Sequence, residues 1–327
     1  MSERWTWHGG ALRAAREHFG DEPGRPWIDL STGINPHPWP VPPQPFDWTA
    51  LPDECDLQAL EHAAAACFGA PAACVCAVPG TEIALRLMDG LIAAPAYHLT
   101  PSYRTHGEML AHSLPITADR LAQADGASLI LANPNNPDGR VLIRAALQDL
   151  LDRRGDAGWL LIDEAFVDTD PALSLADFVA EDRRLVVFRS FGKFFGLAGV
   201  RLGFVLGPPT LLARIRHRLG AWPLAAAALA IGSTAYRDHP WIAATRALLA
   251  SEAQRLDAVL RETGLDPIGA SPLFRLVECD DARGLFEKLA RRFILTRPFA
   301  DHPRWLRIGL PPSDAARERL REALADG

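Results

Sequence analysis

Lys193 is the residue on which covalent chemistry can be built. It lies in Ser190-Phe191-Gly192-Lys193-Phe194-Phe195-Gly196-Leu197-Ala198-Gly199-Val200-Arg201-Leu202-Gly203, after an apolar run. Desolvation among such neighbours favours a neutral, nucleophilic amine. Ser190 and Arg201 bracket the lysine, and both can reach one phosphate. A lone loop lysine is ordinarily a solvated surface group, so the weight rests on the whole string. A nucleotide P-loop is a poor match, because Phe194 stands where Ser or Thr must follow the Lys.

Four further constellations carry chemistry. Asn133-Pro134-Asn135-Asn136-Pro137-Asp138-Gly139 directly follows an apolar run. Its Asn-Pro and Asp-Gly pairs make turns, which is the plain structural reading. Asp163 closes Leu161-Ile162-Asp163-Glu164-Ala165-Phe166, where a carboxylate can hold a ligand or cap the next turn. Pro79-Gly80-Thr81-Glu82 sits between strand and helix patterns, where backbone N–H groups and the helix dipole receive anions. Arg297 and Arg307 lie in or near apolar strand patterns. Arginine suits bidentate recognition of carboxylate or phosphate, and inside an apolar strand it needs a partner.

The elements that must position these residues alternate. From about 56 to 210 the pattern reads helix 56–68, strand 74–78, helix 81–93, then strands 128–132, 159–162, 185–188 and 202–206. Continuous apolar strands are covered on both faces, which implies an α/β fold with a doubly wound, mainly parallel sheet. Ligands in such folds sit beyond the carboxyl ends of the strands, where Asn136, Asp163 and Ser190 fall. Residues 210–264 read as helices interrupted near 220–223 and 238–240, with Ala221 to Ser233 tending to a buried helix. Residues 273–327 read strand, helix, strand, strand, helix, a small α+β domain. Residues 1–50 read as irregular, and the six prolines of 35–45 rule out continuous helix or central strand there.

The Lys193 string is similar to the lysine signature of fold-type I pyridoxal-5'-phosphate (PLP) enzymes of the aminotransferase class. The resemblance implies that Lys193 carries PLP as a Schiff base and that Asp163 pairs with the pyridine nitrogen. It implies that Asn136 donates to the phenolic oxygen. Gly80, Thr81, Glu82 (through backbone), Ser190 and Arg201 would hold the phosphate. Tyr103 falls where the family stacks an aromatic on the ring; a core tyrosine is the alternative. Arg307 would clamp the substrate α-carboxylate, and Arg297 a distal phosphate. The implied organisation is an N-terminal arm at 1–50, a large PLP-binding domain at 51–215, and connecting helices with a small domain at 216–327.

The amino-terminal stretch narrows the branch. His8-Gly9-Gly10 and Ser31-Thr32-Gly33-Ile34-Asn35-Pro36 look like the start of the L-threonine-O-3-phosphate decarboxylases of cobalamin biosynthesis. That resemblance adds His8, Gly33 and Asn35 as substrate-binding residues. It implies a homodimer acting on a small phosphorylated amino acid. Histidinol-phosphate aminotransferase is the competing branch, and a non-catalytic relative the second alternative. The chain departs from the wider pattern at three places. Phe166 stands where many aminotransferases have Tyr, Asp138 where Thr is usual, and Leu51 where relatives carry the Tyr of a Tyr-Pro-Asp motif.

Composition excludes other classes. The 327 residues are 48% hydrophobic and 23% charged, with net charge −6 and pI near 5.9. A broad nucleic-acid or anionic-membrane surface needs a basic excess that is lacking. No uncharged apolar run reaches membrane-spanning length, and no apolar signal core follows Met1. Five cysteines without framework spacing suggest reduced thiols in a cytoplasm. Cys74 and Cys76 read as strand residues, so no metal site is expected.

Overall fold

The computed structural model describes residues 3–43, 47–92 and 95–325. Its strands, in chain order, are β1 (Ile28–Asp29), β2 (Val75–Val78), β3 (Ala96–Leu99), β4 (Ser113–Ile116), β5 (Ser128–Ala132) and β6 (Leu160–Asp163). They continue as β7 (Leu185–Ser190), β8 (Gly203–Leu206), β9 (Phe274–Glu278), β10 (Ile294–Leu295), β11 (Arg297–Pro298) and β12 (Trp305–Gly309). The chain forms two compact units. The larger comprises 38–136 and 140–246; the smaller comprises the described residues of 1–37, 137–139 and 247–327.

The larger unit is built on a seven-stranded sheet of order β2-β8-β7-β6-β5-β3-β4. Strands β3 to β7 pair in parallel, and β8 runs antiparallel to both β2 and β7. Every residue of β2, β5, β6, β7 and β8 is buried, as unbroken apolar runs require. Strands β3 and β4 were not expected from the sequence. They are half-polar, and β4 contains Pro115, which only an edge strand tolerates. Helix Glu54–Phe68 begins where the Asp53 side chain accepts the Cys55 N–H at 2.8 Å, and ends on Gly69 in the left-handed region. The helix expected over 81–93 is Thr81–Leu87; Ala93 lies outside the described residues.

Helices Pro209–Leu219, Ala226–Ala235 and His239–Glu262 match the expected interruptions. The units divide at 246/247, not at the expected 215/216. The first two of these helices are tied to the larger unit: Arg216 on the first donates to Glu61 and the Val75 carbonyl, and Arg237, just past the end of the second, to the Ala59 carbonyl. Residues 226–235 form the buried helix, while Ala221 to Ala225 stay outside it.

The smaller unit holds an antiparallel sheet of order β11-β12-β9 and a parallel pair, β1 with β10. Helices Ala282–Ala290 and Asp314–Ala325 complete it. The expectation that 1–50 is irregular fails for its first third. Leu12–Phe19 is a helix, because Leu-Arg-Ala-Ala-Arg-Glu is a run of strong helix formers with Ala15 buried. Trp5 packs with Phe19 and Phe286 at centroid distances of 5.7 and 5.8 Å, fastening this segment to the unit. No helix among the described residues is long and apolar enough to cross a membrane.

Candidate active site

In the larger unit the carboxyl ends of β5, β6 and β7 lie side by side. Asp163 pairs with Ala132 on one side and Phe188 on the other, which sets the Asn133–Asn136 loop, Asp163 and Ser190 along one sheet edge. Asp163 is buried. Its Oδ1 accepts the Ala165 N–H at 3.0 Å, and its Oδ2 lies 3.0 Å from His106 Nε2. A proton on that nitrogen is donated to the carboxylate, a hydrogen bond to a charged acceptor. His106 is fully buried, and its Nδ1 has no hydrogen-bond partner among the described residues.

Sequence reasoning missed His106. Its only signal was position, three residues after Tyr103, which places both on one face of a helical turn. Tyr103 precedes helix Arg104–Glu108 and meets the His106 ring edge-on at 5.7 Å. The Tyr103 hydroxyl donates to Glu82 Oε2 at 3.0 Å, and the Thr105 hydroxyl donates to the same carboxylate. Burial, then the Glu82 charge, pushes the Tyr103 phenol up to about 12. The Glu82 side chain is thus committed to holding Tyr103 and, at 2.8 Å, Arg86.

Bare backbone gathers the remaining residues. A Cβ on Gly80, whose φ is +93°, would lie 2.5 Å from Arg201 Nη2. Gly203 pairs with Ser190, and a Cβ there would lie 2.8 Å from the Thr81 nitrogen. Gly80, Thr81, Ser190 and Arg201 therefore come together only because two glycines lack side chains. Lys193 sits on the single turn Phe191–Phe194, with Nζ 5.7 Å from the centroid of Phe166. Behind it Phe191 stacks on Phe195 at 4.5 Å, and Phe195 on Trp241 at 5.5 Å. In the asparagine loop, Asn133 bonds both backbone groups of Leu142, and Asn135 donates to the Pro101 carbonyl at 2.9 Å. These two shape the loop, and half-buried Asn136 follows them.

A second feature was not foreseen. Glu164 and Arg189, the neighbours of Asp163 and Ser190, are buried and paired at 3.3 Å. Arg189 also binds Asp168, and Ser174 donates to Glu164 at 2.5 Å. This cluster fastens the ends of β6 and β7 to each other.

The smaller unit gathers the other expected residues. Arg297 on β11 is the direct cross-strand partner of Arg307 on β12. Arg307 is buried and donates to the Ser31 carbonyl at 2.8 Å; Arg297 donates to the Trp7 carbonyl at 2.9 Å. Burial first, then the Arg297 charge, lowers the Arg307 guanidinium to about 9, against the opposing pull of Asp29. Gly33 and Asn35 are buried, and Asn35 Oδ1 accepts the His37 N–H at 2.9 Å; His8 is exposed. Guanidinium groups paired in this way carry the chemistry that recognises carboxylates and phosphates.

The sequence model of the aminotransferase class I and II family matches residues 58–324. The chain belongs to that family. Within it, a threonine-phosphate decarboxylase of a Sinorhizobium species is 40% identical, covering 97% of both chains. A threonine-phosphate decarboxylase of Pseudomonas aeruginosa is 39% identical, covering 97% of this chain and 96% of that one. The crystal structure of histidinol-phosphate aminotransferase from Sinorhizobium meliloti, in complex with pyridoxal-5'-phosphate, superposes with a TM-score of 0.82. It covers 96% of this chain and 93% of that one at 21% identity, a likeness of fold.

Proposed function

We propose that the chain is a PLP-dependent decarboxylase of L-threonine O-3-phosphate, giving CO2 and (R)-1-amino-2-propanol O-phosphate as a step of cobalamin biosynthesis. The observation that carries this reading is the opposed pair Arg297 and Arg307, which suits a small substrate with two anions, a carboxylate and a phosphate. The full-length relatives named threonine-phosphate decarboxylase support the same substrate.

The larger unit's residues fit PLP. The bare backbone of Gly80 and Gly203 lets Arg201 and the Thr81 N–H approach closely, and Arg201, Thr81, Ser190 and the Glu82 backbone so gathered suit a phosphate. Asp163, buried at a strand end and backed by His106, suits the ring nitrogen. Lys193 would hold the cofactor covalently, Asn136 would serve the phenolic oxygen and Tyr103 the ring face. When bound, PLP supplies a protonated ring that accepts electrons from the substrate Cα.

The chain's own residues select the reaction. Arg307 takes the carboxylate and Arg297 the phosphate, with His8, Gly33 and Asn35 at the phosphate end. Holding both anions fixes which bond at Cα breaks. The Cα–carboxylate bond cleaves, its electron pair stays on Cα, CO2 leaves, and a proton returns to Cα. Lys193 would hold that proton and return it to Cα. Asp163 would face the ring nitrogen and favour its protonated form.

The protein acts as a homodimer. Exposed Leu51 and Trp222 (66% and 59%) and a cavity of about 350 Å³, lined by Pro52, Leu57, Trp222 and Leu224 among others, support this association. All five cysteines are free, which supports a cytoplasmic location. The test supplies two substrates separately. CO2 from L-threonine O-3-phosphate supports the reading. Amino transfer from histidinol phosphate to 2-oxoglutarate, with no CO2, would assign the chain to the aminotransferase branch.

A further inference from the structure

Ser31 joins three separate parts of the smaller unit. Its carbonyl accepts from Arg307 Nη2 at 2.8 Å. Its hydroxyl donates to Asp29 Oδ1 at 2.5 Å and accepts the Gly10 N–H at 2.7 Å. Its own N–H donates to the same Asp29 oxygen at 2.9 Å. Gly9 lies so close to the Ser31 carbonyl that a Cβ would sit 2.3 Å from its oxygen. At the other end of the same segment, Arg297 Nη2 donates to the carbonyls of Trp7 (2.9 Å) and Thr6 (3.3 Å).

A serine in an ordinary turn bonds backbone two or three residues away. Ser31 makes a local contact with Asp29, and its hydroxyl also reaches Gly10, 21 positions distant, while its backbone carbonyl receives Arg307, 276 positions distant. A hydroxyl has one proton. Here Asp29 takes it, so the lone pair is turned toward Gly10. The segment 6–10 is therefore stitched at 6–7 by Arg297 and at 9–10 by Ser31. Exposed His8 lies between the two stitches, and both arginines belong to the same frame.

We infer that Ser31, oriented by Asp29, is a positioning residue for the anionic end of the substrate. It fixes residues 8–10 and the Arg307 guanidinium in one frame, so that a phosphomonoester dianion is met without rearrangement. This rests on the assignment of Arg297 and Arg307 to the substrate's two anions. Preorganisation of this kind strengthens binding and leaves the bond-breaking step alone.

The PLP-loaded enzyme tests it with two readouts, the KM–kcat split on L-threonine O-3-phosphate and calorimetric binding of inorganic phosphate. Ser31→Ala should raise KM about tenfold, the size of one hydrogen bond to a charged site, with kcat within about twofold. Phosphate affinity should fall by the same factor. Ser31→Thr, which keeps donor and acceptor, should restore most of both. Unchanged KM and phosphate affinity in Ser31→Ala, or a fall in kcat alone, would overturn the inference. Should Ser31→Ala not fold, Asp29→Asn keeps an acceptor oxygen without the charge; it should move both readouts the same way by less, and no movement overturns the inference. If the wild type releases no CO2 yet Ser31→Ala still weakens phosphate binding, the substrate assignment fails and the role of Ser31 stands. A wild type that binds no phosphate overturns both.

Discussion

Arg297 and Arg307 stand directly opposite each other on adjacent antiparallel strands, two cations in one cross-strand pair. Like charges so placed repel, and Arg307 is only 4% exposed. An anion relieves both penalties. Inorganic phosphate should therefore raise the Tm of the enzyme, by mass action on the folded state. At a hundredfold excess over Kd the gain is about 2.7 kcal/mol. Arg307→Gln should abolish most of that shift in calorimetry, and a wild-type Tm indifferent to phosphate would contradict the anion site.

The same pair gives a pH dependence with a definite sign. The folded pKa of Arg307 lies near 9, below its ordinary 12.5, so the unfolded chain binds more protons between those values. The stability penalty of the buried charge is full below about pH 9 and eases as pH rises through it. Anion affinity runs the opposite way, because any loss of protonation at the guanidinium weakens its attraction for phosphate. Phosphate binding measured from pH 7.5 to 10 should weaken across about pH 9; a flat profile would argue that another group holds the anion.

His106 touches Asp163 at 3.0 Å and is fully buried. Removing it leaves the Asp163 carboxylate without that hydrogen bond. A hydrogen bond to a charged group contributes about 1.5–3 kcal/mol, so His106→Ala should lower kcat by about 10- to 150-fold and shift the cofactor absorbance. His106→Asn, which can still donate, should recover part of both. An unchanged spectrum in His106→Ala would remove His106 from the site.

Gly80 tests the proposed phosphate cradle. An alanine there must tolerate a φ of +93° and a Cβ 2.5 Å from Arg201 Nη2. Strain of about 1–3 kcal/mol is expected of such a position. Gly80→Ala should therefore release PLP on dilution or dialysis about 5- to 150-fold more readily than the wild type. Equal retention would mean that Arg201 has room to move and that the cradle is not formed there.

Much of this was legible in the chain because the informative residues sit at the ends of apolar runs. Leu129 to Leu131, Leu161 and Ile162, and Val186 to Phe188 announce parallel strands, and Asn136, Asp163 and Ser190 follow them. What stayed hidden has physical causes. Strands β3 and β4 carry Tyr97, His98 and Pro115, a mixed composition that periodicity cannot separate from loop. His106 gains its meaning only from contact with Asp163, 57 residues away. The Glu164–Arg189 pair links neighbours of known site residues, and no local pattern marks it. The boundary at 246/247 falls within the helix His239–Glu262, so no break in composition points to it.

The central claim is that the bond broken is the one from Cα to the carboxylate. The measurement is turnover of L-threonine O-3-phosphate, labelled with carbon-13 in its carboxylate, by purified PLP-loaded enzyme without any oxo acid. The account predicts sustained release of labelled CO2, with one 1-amino-2-propanol O-phosphate formed for each. Label retained in the amino acid, or a single partial turnover that resumes only with 2-oxoglutarate, would contradict it.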